Sequence, residues 1–255
     1  MLNFVGLGLY DERSVTLQGR DKIAEADRVV AEFYTSRLPG TDLETLEMTH
    51  DRSIDLLDRA DVEQTPEVFL DEAERSAVAF LTGGDPLIST THVDLRLRAA
   101  ARGIETNVVH GPSASTAASS LTGLQNYRFG KATTIPFPVG RWPDGVPPSV
   151  VETIEANADR GLHTLAYLDL DGADGPCLSA NVAAQHLAAA LDDRLGVVVA
   201  RAGSDHPVVD ADRLSELARR DYGPPLHLLI VPGELHEIEA TALETFANAP
   251  PGLLP

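Results

Sequence analysis

An apolar run ends at two glycines, an acid and a proline in segment 80–87 (FLTGGDPL), and this corner has the composition of a ligand-binding turn. Gly83 and Gly84 allow positive φ values and the close approach of the backbone to a bound molecule. Asp85 offers an acceptor for hydrogen bonds, and Pro86 stiffens the exit toward the next helix. Because ligands of α/β proteins bind at the carboxyl ends of strands, we expect a small molecule to bind here.

Three further segments place glycine, serine or histidine at predicted strand ends: 5–11, 110–115 and 224–236. The first contains Gly-x-Gly without the third glycine of the dinucleotide fingerprint, so a tight turn explains it as well as a binding site does. In the second, Ser113 has a complete explanation as a helix cap. In the third, His227 enters a strand among apolar residues, where a hydrogen-bonded core histidine is more common than a catalytic one.

Several reaction classes lack their sequence signatures. The chain has no P-loop pattern, no HExxH, no Gly-x-Ser-x-Gly and no grouping of His, Cys and Asp with zinc spacing, so we expect no metal site. Its one cysteine, Cys177, has no partner for an internal disulfide, which favours the reducing cytoplasm. With these reaction classes set aside, the sequence favours a transfer reaction that depends on a reactive cofactor and on positioning.

The charge balance is strongly acidic. The net charge is −19, and arginine supplies all of the basic side chains except Lys22 and Lys131. Such a surface repels itself until salt screens it, so we expect a salt-adapted organism and no nucleic-acid partner. No run approaches ~18 uninterrupted apolar residues, so we expect no membrane segment.

Apolar runs of strand length alternate with segments of helical period, which predicts an α/β protein with a largely parallel sheet. The predicted strands are 2–7, 27–33, 78–81, 104–109, 132–135, 162–168, 196–200 and 226–231. The predicted helices are 14–26, 66–75, 93–101, 113–121, 149–159, 181–191, 211–219 and 234–247. Proline and glycine predict a long loop over 136–145. Two α/β domains, 1–111 and 112–255, fit this pattern best.

Segments along the whole chain resemble the diphthine synthase family, which belongs to the tetrapyrrole methylase superfamily. They are 4–13 (FVGLGLYDER), 31–36 (AEFYTS), 81–87 with 90–92, 129–131, 161–164, 200–204 and 226–233. The Gly-x-Gly turn and the Gly-Asp-Pro corner also occur in other tetrapyrrole methylases. The narrower resemblance rests on AEFYTS and on LHLLIVPGELH, in that order.

The resemblance implies a homodimeric methyltransferase that binds S-adenosylmethionine in the cleft between its two domains. It implies translation elongation factor 2 as the protein substrate, on which a histidine carries a 3-amino-3-carboxypropyl group. Trimethylation of that amino group would give diphthine. Carried over position by position, the expected cofactor contacts are Leu9, Asp85, Ile88, Ser113, Ala114, Leu168, Ala202 and His227.

The sequence identifies no general base. The aromatic faces of Tyr10, Phe33 or Tyr34 are our hypothesis for what favours the growing cation during successive methylation. Two other functions stay open at this stage: a methylase acting on a small porphyrinoid, against which the negative charge weighs, and a non-catalytic module that binds S-adenosylmethionine. A Rossmann dehydrogenase is disfavoured by the incomplete glycine fingerprint.

Overall fold

The computed structural model describes residues 1–138, 142 and 145–255. They group into two compact units, Met1–Ser113 with Leu170–Gly175, and Ala114–Asp169 with Pro176–Pro255. Both units consist of a sheet with helices, so the predicted α/β class is confirmed. The domain limits 1–111 and 112–255 stay a prediction. None of the helices in these ranges has the length and apolar character needed to cross a membrane.

In the described part of the first unit, five parallel strands form a sheet in the order β3-β2-β4-β1-β5. The strands are β1 (Leu2–Gly6), β2 (Arg28–Glu32), β3 (Asp55–Leu56), β4 (Val78–Thr82) and β5 (Thr106–Val109). The helices are α1 (Leu17–Glu25), α2 (Leu43–His50), α3 (Arg59–Glu63), α4 (Glu67–Ala73) and α5 (His92–Ala101).

Both faces of this sheet are buried, which is why its central strands read as continuous apolar runs. In β4, Val78 and Phe80 pack into the core on one face, while Ala79 and Leu81 pack into the core on the other. The parallel order brings the carboxyl ends of β4, β1 and β5 side by side. The predicted ligand corner follows β4 at this edge.

In the described part of the second unit, five strands form a sheet in the order β6-β7-β10-β8-β9. The strands are β6 (Thr133–Ile135), β7 (Thr164–Leu168), β8 (Leu195–Ala200), β9 (Val208–Arg213) and β10 (His227–Val231). The helices are α6 (Ala114–Thr122), α7 (Pro148–Ala158), α8 (Ala180–Ala190), α9 (Leu214–Leu217) and α10 (Glu237–Ala247).

The expectation of a largely parallel sheet is wrong for this unit. Strand β10 pairs antiparallel with both β7 and β8, and β8 pairs antiparallel with β9, whereas β6 and β7 are parallel. The seven-residue connection 201–207 is too short for a parallel crossover and suits a hairpin. The predicted helix 211–219 is correspondingly wrong over its first residues, because β9 extends to Arg213 and only Leu214–Leu217 is helical.

The sequence pattern predicted no element between residues 34 and 65, where the structure has α2, β3 and α3. Both helices begin after an aspartate whose side chain accepts a backbone hydrogen bond, Asp42 from Thr45 and Asp58 from Asp61. These N-caps are recognisable sequence signals. The predicted loop 136–145 includes 139–141 and 143–144, which lie outside the described residues.

Candidate active site

Glycines bring the carboxyl ends of three strands into close contact in the first unit. A Cβ atom on Gly6, the last residue of β1, would lie 2.5 Å from the carbonyl oxygen of Gly84 and 2.7 Å from the amide nitrogen of Gly111. A side chain at Gly111 would meet the same carbonyl of Gly84. Since no side chain fits between these backbones, glycine is required for the three strand ends to meet.

The turn after β1 is joined to the corner after β4 by two backbone hydrogen bonds. The amide of Gly8 donates to the carbonyl of Gly84 at 3.2 Å, and the amide of Gly84 donates to the carbonyl of Gly8 at 2.7 Å. Gly84 has a φ of +71°, and a Cβ atom built on it would meet no atom within 4 Å. The structure therefore leaves open space directly in front of this corner, at the edge where a ligand is expected.

Asp85 lies in this corner, with a side chain that is only 6% exposed. Its Oδ1 accepts from the amide of Leu87 at 3.1 Å. Its Oδ2 lies 2.7 Å from Nδ1 of His110, the residue that follows β5, whose own side chain is 77% exposed. Asp85 thus links the corner after β4 to the strand end of β5.

The buried carboxylate of Glu32 supports the corner after β4. Glu32, at the end of β2, is fully buried, and its Oε1 accepts from the hydroxyl of Thr82 at 2.7 Å and from the hydroxyl of Thr35. Its Oε2 accepts from the amides of Tyr34 and Thr35, both at 3.0 Å. Because Thr82 immediately precedes the two glycines, Glu32 fixes the point where the corner begins.

His92 supports the other end of the corner. Its Nδ1 donates to the carbonyl of Pro86 at 3.0 Å, and its Nε2 lies 3.4 Å from Oε1 of Glu32. Between these points Gly83 packs on Ser36, whose Oγ would lie 3.0 Å from a Cβ atom at Gly83. The segment 31–36 and His92, both part of the sequence resemblance, therefore position the corner.

The predicted cofactor residues of the first unit lie at this edge. Leu9 follows the Gly8 turn, and Ile88 donates a long backbone hydrogen bond of 3.4 Å to the carbonyl of Asp85. Ser113 ends the segment after His110 and is buried. The Gly8 turn reaches this segment, since a Cβ atom on Gly8 would lie 3.1 Å from Cδ of Pro112. The structure brings these turns together, while their contact with a cofactor stays a prediction.

The predicted residues of the second unit, Ala114, Leu168, Ala202 and His227, lie at element ends. Ala114 begins α6, Leu168 ends β7, and Ala202 follows β8. His227 begins β10 and pairs with Ala200 of β8. Because β10 is antiparallel to β7 and β8, its start lies beside the carboxyl ends of both. Leu168, Ala202 and His227 therefore share one edge of the second sheet.

His227 is a satisfied core histidine, as its apolar neighbours predicted. It is buried, its Nδ1 accepts from the amide of Ala180 at 3.2 Å, and its Nε2 donates to the carbonyl of Pro224 at 3.1 Å. Burial lowers the pKa of the ring, so the neutral form is favoured. Since both nitrogens are engaged within the protein, neither is available for a hydrogen bond to a cofactor.

One face of the Tyr34 ring is already covered within the protein. The ring is buried, and the guanidinium carbon of the exposed Arg59 lies 4.8 Å from its centroid, so a part for Tyr34 in binding the methylated cation stays a prediction. Tyr10 packs on Gly40, where a Cβ atom would lie 2.6 Å from Cδ1 of the ring. Tyr10 and Phe33 are half-buried, and their part in product binding stays a prediction.

In the second unit, a buried hydrogen-bond network connects segments that carry the sequence resemblance. Glu239 and His163 are fully buried, and Oε1 of Glu239 accepts from Nε2 of His163 at 3.0 Å and from the amide of Gln125 at 2.8 Å. Its Oε2 accepts from Arg128 and from the amide of His236. This network ties together the segments around 125–128, 161–163 and 233–239.

In the sequence, His110 stood out only as part of a glycine-containing segment, and no pattern indicated a role for Glu32 or His92. No local pattern could have shown their contacts, because Asp85 and His110 are 25 residues apart and Glu32 and Thr82 are 50 apart. No group of three or more His, Cys, Asp or Glu residues that could hold a metal ion occurs in the described ranges.

Comparisons with known proteins agree on one family. The model of the tetrapyrrole (corrin/porphyrin) methylases matches residues 1–218. A diphthine synthase of Haloarcula marismortui is 61% identical over 98% of this chain and 99% of its own length. A diphthine synthase of Halobacterium salinarum is 62% identical over 98% of both. A crystal structure of a diphthine synthase has a TM-score of 0.90 at 38% identity, over 99% of this chain and 98% of that one.

Proposed function

The chain belongs to the tetrapyrrole methylase family and, within it, to the diphthine synthases, and from this premise we propose its substrate and its methyl donor. It is a methyltransferase of diphthamide biosynthesis. The acceptor we propose is the amino group of the 3-amino-3-carboxypropyl histidine of translation elongation factor 2. Three transfers to this amine give diphthine. The donor we propose is S-adenosylmethionine.

The observation that carries the proposal is the corner after β4. Open space lies in front of Gly84, and the adjoining side chain of Asp85 is held by Leu87 and His110. A ligand can approach this backbone closely, and each carboxylate oxygen of Asp85 retains capacity for a further hydrogen bond. These features fit a polar, nucleoside-sized molecule such as S-adenosylmethionine.

One part of the chain in such a reaction is positioning. When bound, S-adenosylmethionine supplies a methyl group with its own leaving group, so the reaction depends on alignment and exclusion of water. Asp85 holds and orients the ligand at the corner, while Glu32 and His92 keep the corner itself in place. Rigid support of this kind matters because small displacements of the reacting atoms are costly to the rate.

The cofactor contacts that we propose are distributed over both units of the chain. They are Leu9, Asp85, Ile88 and Ser113 in the first unit, and Ala114, Leu168, Ala202 and His227 in the second. The resemblance to the family and the position of each residue at an element end support them. A homodimer and a cytoplasmic location remain predictions.

Mass spectrometry tests the reaction directly. The purified chain is incubated at high salt with S-adenosylmethionine and elongation factor 2 that carries the aminocarboxypropyl histidine. We expect this histidine to gain three methyl groups in exchange for three hydrogens, a net gain of three CH2 units, and elongation factor 2 without the modification to gain none. Cofactor binding without any mass shift would contradict the proposed substrate and would favour a porphyrinoid acceptor or a sensor module.

A further inference from the structure

Asp85 and His110 form a carboxylate–imidazole pair at the proposed active site. Oδ2 of Asp85 and Nδ1 of His110 are 2.7 Å apart, which is a short distance for an N–H···O hydrogen bond. The two side chains differ sharply in environment, because Asp85 is 6% exposed and His110 is 77% exposed. The carboxylate is thus fixed inside the corner while the far side of the imidazole faces solvent.

This contact determines the tautomer of the neutral histidine. An ionised carboxylate only accepts hydrogen bonds, so Nδ1 of His110 must carry the proton that it donates to Asp85. The lone pair of the neutral ring is then on Nε2, on the side away from Asp85. The other oxygen of Asp85 accepts from the amide of Leu87, and this hydrogen bond opposes rotation of the carboxylate away from His110.

Methylation of an amine requires a proton acceptor. The acceptor amine is largely protonated near neutral pH, and an ammonium nitrogen has no lone pair with which to attack a methyl group. We propose that His110, oriented by Asp85, is the catalytic base that takes this proton at Nε2. The inference rests on the proposed function, since it requires an amine acceptor beside this corner.

The step balances at each round of transfer. Nε2 of His110 takes a proton from the substrate ammonium, which leaves a neutral amine and an imidazolium. The amine lone pair forms the new N–C bond while the electrons of the C–S bond leave with the sulfur. The nitrogen is again cationic and, while it carries hydrogen, must be deprotonated before the next transfer. Three methylations therefore require three deprotonations, and the quaternary product requires none.

The exposure of His110 suits this repeated use. A base that acts three times on one substrate must release each proton before the next round. The imidazolium keeps its Nδ1 hydrogen bond to Asp85, and its exposed edge gives the proton on Nε2 a direct route to water. The pair thus combines a fixed orientation with exchange to solvent.

His110→Gln separates catalysis from binding. Glutamine can donate a hydrogen bond to Asp85 and so preserve the link between the corner and the end of β5. It accepts no proton near neutral pH. We expect kcat to fall by about 100-fold or more, as for loss of a general base, while the affinity for S-adenosylhomocysteine stays within about twofold. His186→Ala, which removes a histidine of α8 that is not among the proposed site residues, should leave both quantities unchanged.

Chemical rescue distinguishes a base from a structural residue. His110→Ala opens space at the exposed edge, and added imidazole should restore turnover in proportion to its concentration, without effect on His186→Ala. The deficit of His110→Gln should also shrink at alkaline pH, where more of the amine is already neutral. Wild-type kcat in His110→Gln, or an alanine variant that is inactive and unmoved by imidazole, would overturn the proposal.

The wild-type reaction distinguishes failure of this inference from failure of the proposed function. If the wild-type chain binds S-adenosylhomocysteine but methylates no amine on elongation factor 2, the proposed function fails and the assignment of His110 falls with it. If the wild-type chain is active and the variants are equally active, only His110 loses its role.

Discussion

At the scale of single residues, the two fully buried glutamates differ in how strongly they depend on their negative charge. The groups that contact Oε1 of Glu32 include the hydroxyls of Thr82 and Thr35, which can accept as well as donate. Every group that contacts Glu239 is a donor: two backbone amides, an arginine and the Nε2–H of His163. An amide in place of the carboxylate can therefore be accommodated at position 32 but not at position 239.

We predict that Glu32→Gln is much milder than Glu32→Ala. The glutamine oxygen can keep the amides of Tyr34 and Thr35, while its NH2 group donates to the threonine hydroxyls, so we expect a loss of about 1–2 kcal/mol in the free energy of unfolding. Alanine leaves the same groups unpaired in the core, and we expect about 3–5 kcal/mol. Urea denaturation at constant salt measures both, since urea adds no charge.

Binding of S-adenosylhomocysteine gives the second measurement on these variants. Because Thr82 begins the corner, folded Glu32→Ala should bind about tenfold more weakly, a change of about 1.4 kcal/mol. Glu67→Ala removes one exposed acid from α4 and is the control for net charge. Equal affinities of wild type, Glu32→Ala and Glu67→Ala would show that Glu32 stabilises the first unit without positioning the corner.

At the scale of elements, Glu239 joins the start of α10 to the segment before β6 and to the turn before β7. Glu239→Gln replaces an acceptor with a donor opposite two of these partners, so we expect it to cost about 3 kcal/mol or more. Glu237→Gln, exposed in the first turn of the same helix, should cost about 0.3–1 kcal/mol through its interaction with the helix dipole.

The difference in the free energy of unfolding between wild type and Glu239→Gln should depend on pH, because it depends on the pKa of Glu239. Burial alone would raise that pKa, but hydrogen bonds from the amides of His236 and Gln125, and from His163, lower it overall. A carboxylate whose pKa is lowered on folding adds stability above its unfolded pKa and loses it as the pH falls. The gap between wild type and Glu239→Gln should therefore narrow below about pH 4.3. A gap that stays constant to low pH would contradict this argument.

The sequence predicted elements well where local pattern and burial coincide. β4 is apolar on both faces and ends in glycines, so both the strand and its corner were recognisable. Strand β9 was missed, and its last three residues were predicted as helix; it lies at the edge of its sheet, where Asp210 and Asp212 bind Arg220 and give the strand a polar pattern. The pairs Glu32–Thr82 and Asp85–His110 depend on strand order, which no local spacing encodes.

At the scale of the whole molecule, the excess of acid outweighs the ion pairs. The chain has 39 acidic residues against 20 lysines and arginines. Pairs such as Arg102 with Asp71 and Glu74 are at the surface, where each is worth about 0–1 kcal/mol. The remaining negative charges repel one another, in keeping with a salt-adapted origin and with the relatives from Haloarcula and Halobacterium.

Salt should therefore stabilise this protein. Raising KCl from about 0.1 M to 1 M shortens the screening length from about 10 Å to about 3 Å, which weakens the repulsion across the surface more than it weakens contact pairs. We expect the free energy of unfolding, measured in urea, to rise over this range. If the protein substrate is also acidic, methylation activity should rise with it, because screening then weakens the repulsion between the two proteins.

A charge-reduced variant separates screening from the general strengthening of hydrophobic burial by salt. Glu44→Gln, Glu67→Gln, Asp192→Asn and Glu244→Gln together remove four exposed negative charges. If repulsion dominates, this variant is more stable than wild type at low salt, and its stability rises less steeply with KCl. If the stability of wild type and that of the variant rise equally steeply with KCl, the salt response comes from burial of apolar surface. A fall in stability across the range would mean that the surface ion pairs outweigh the excess charge.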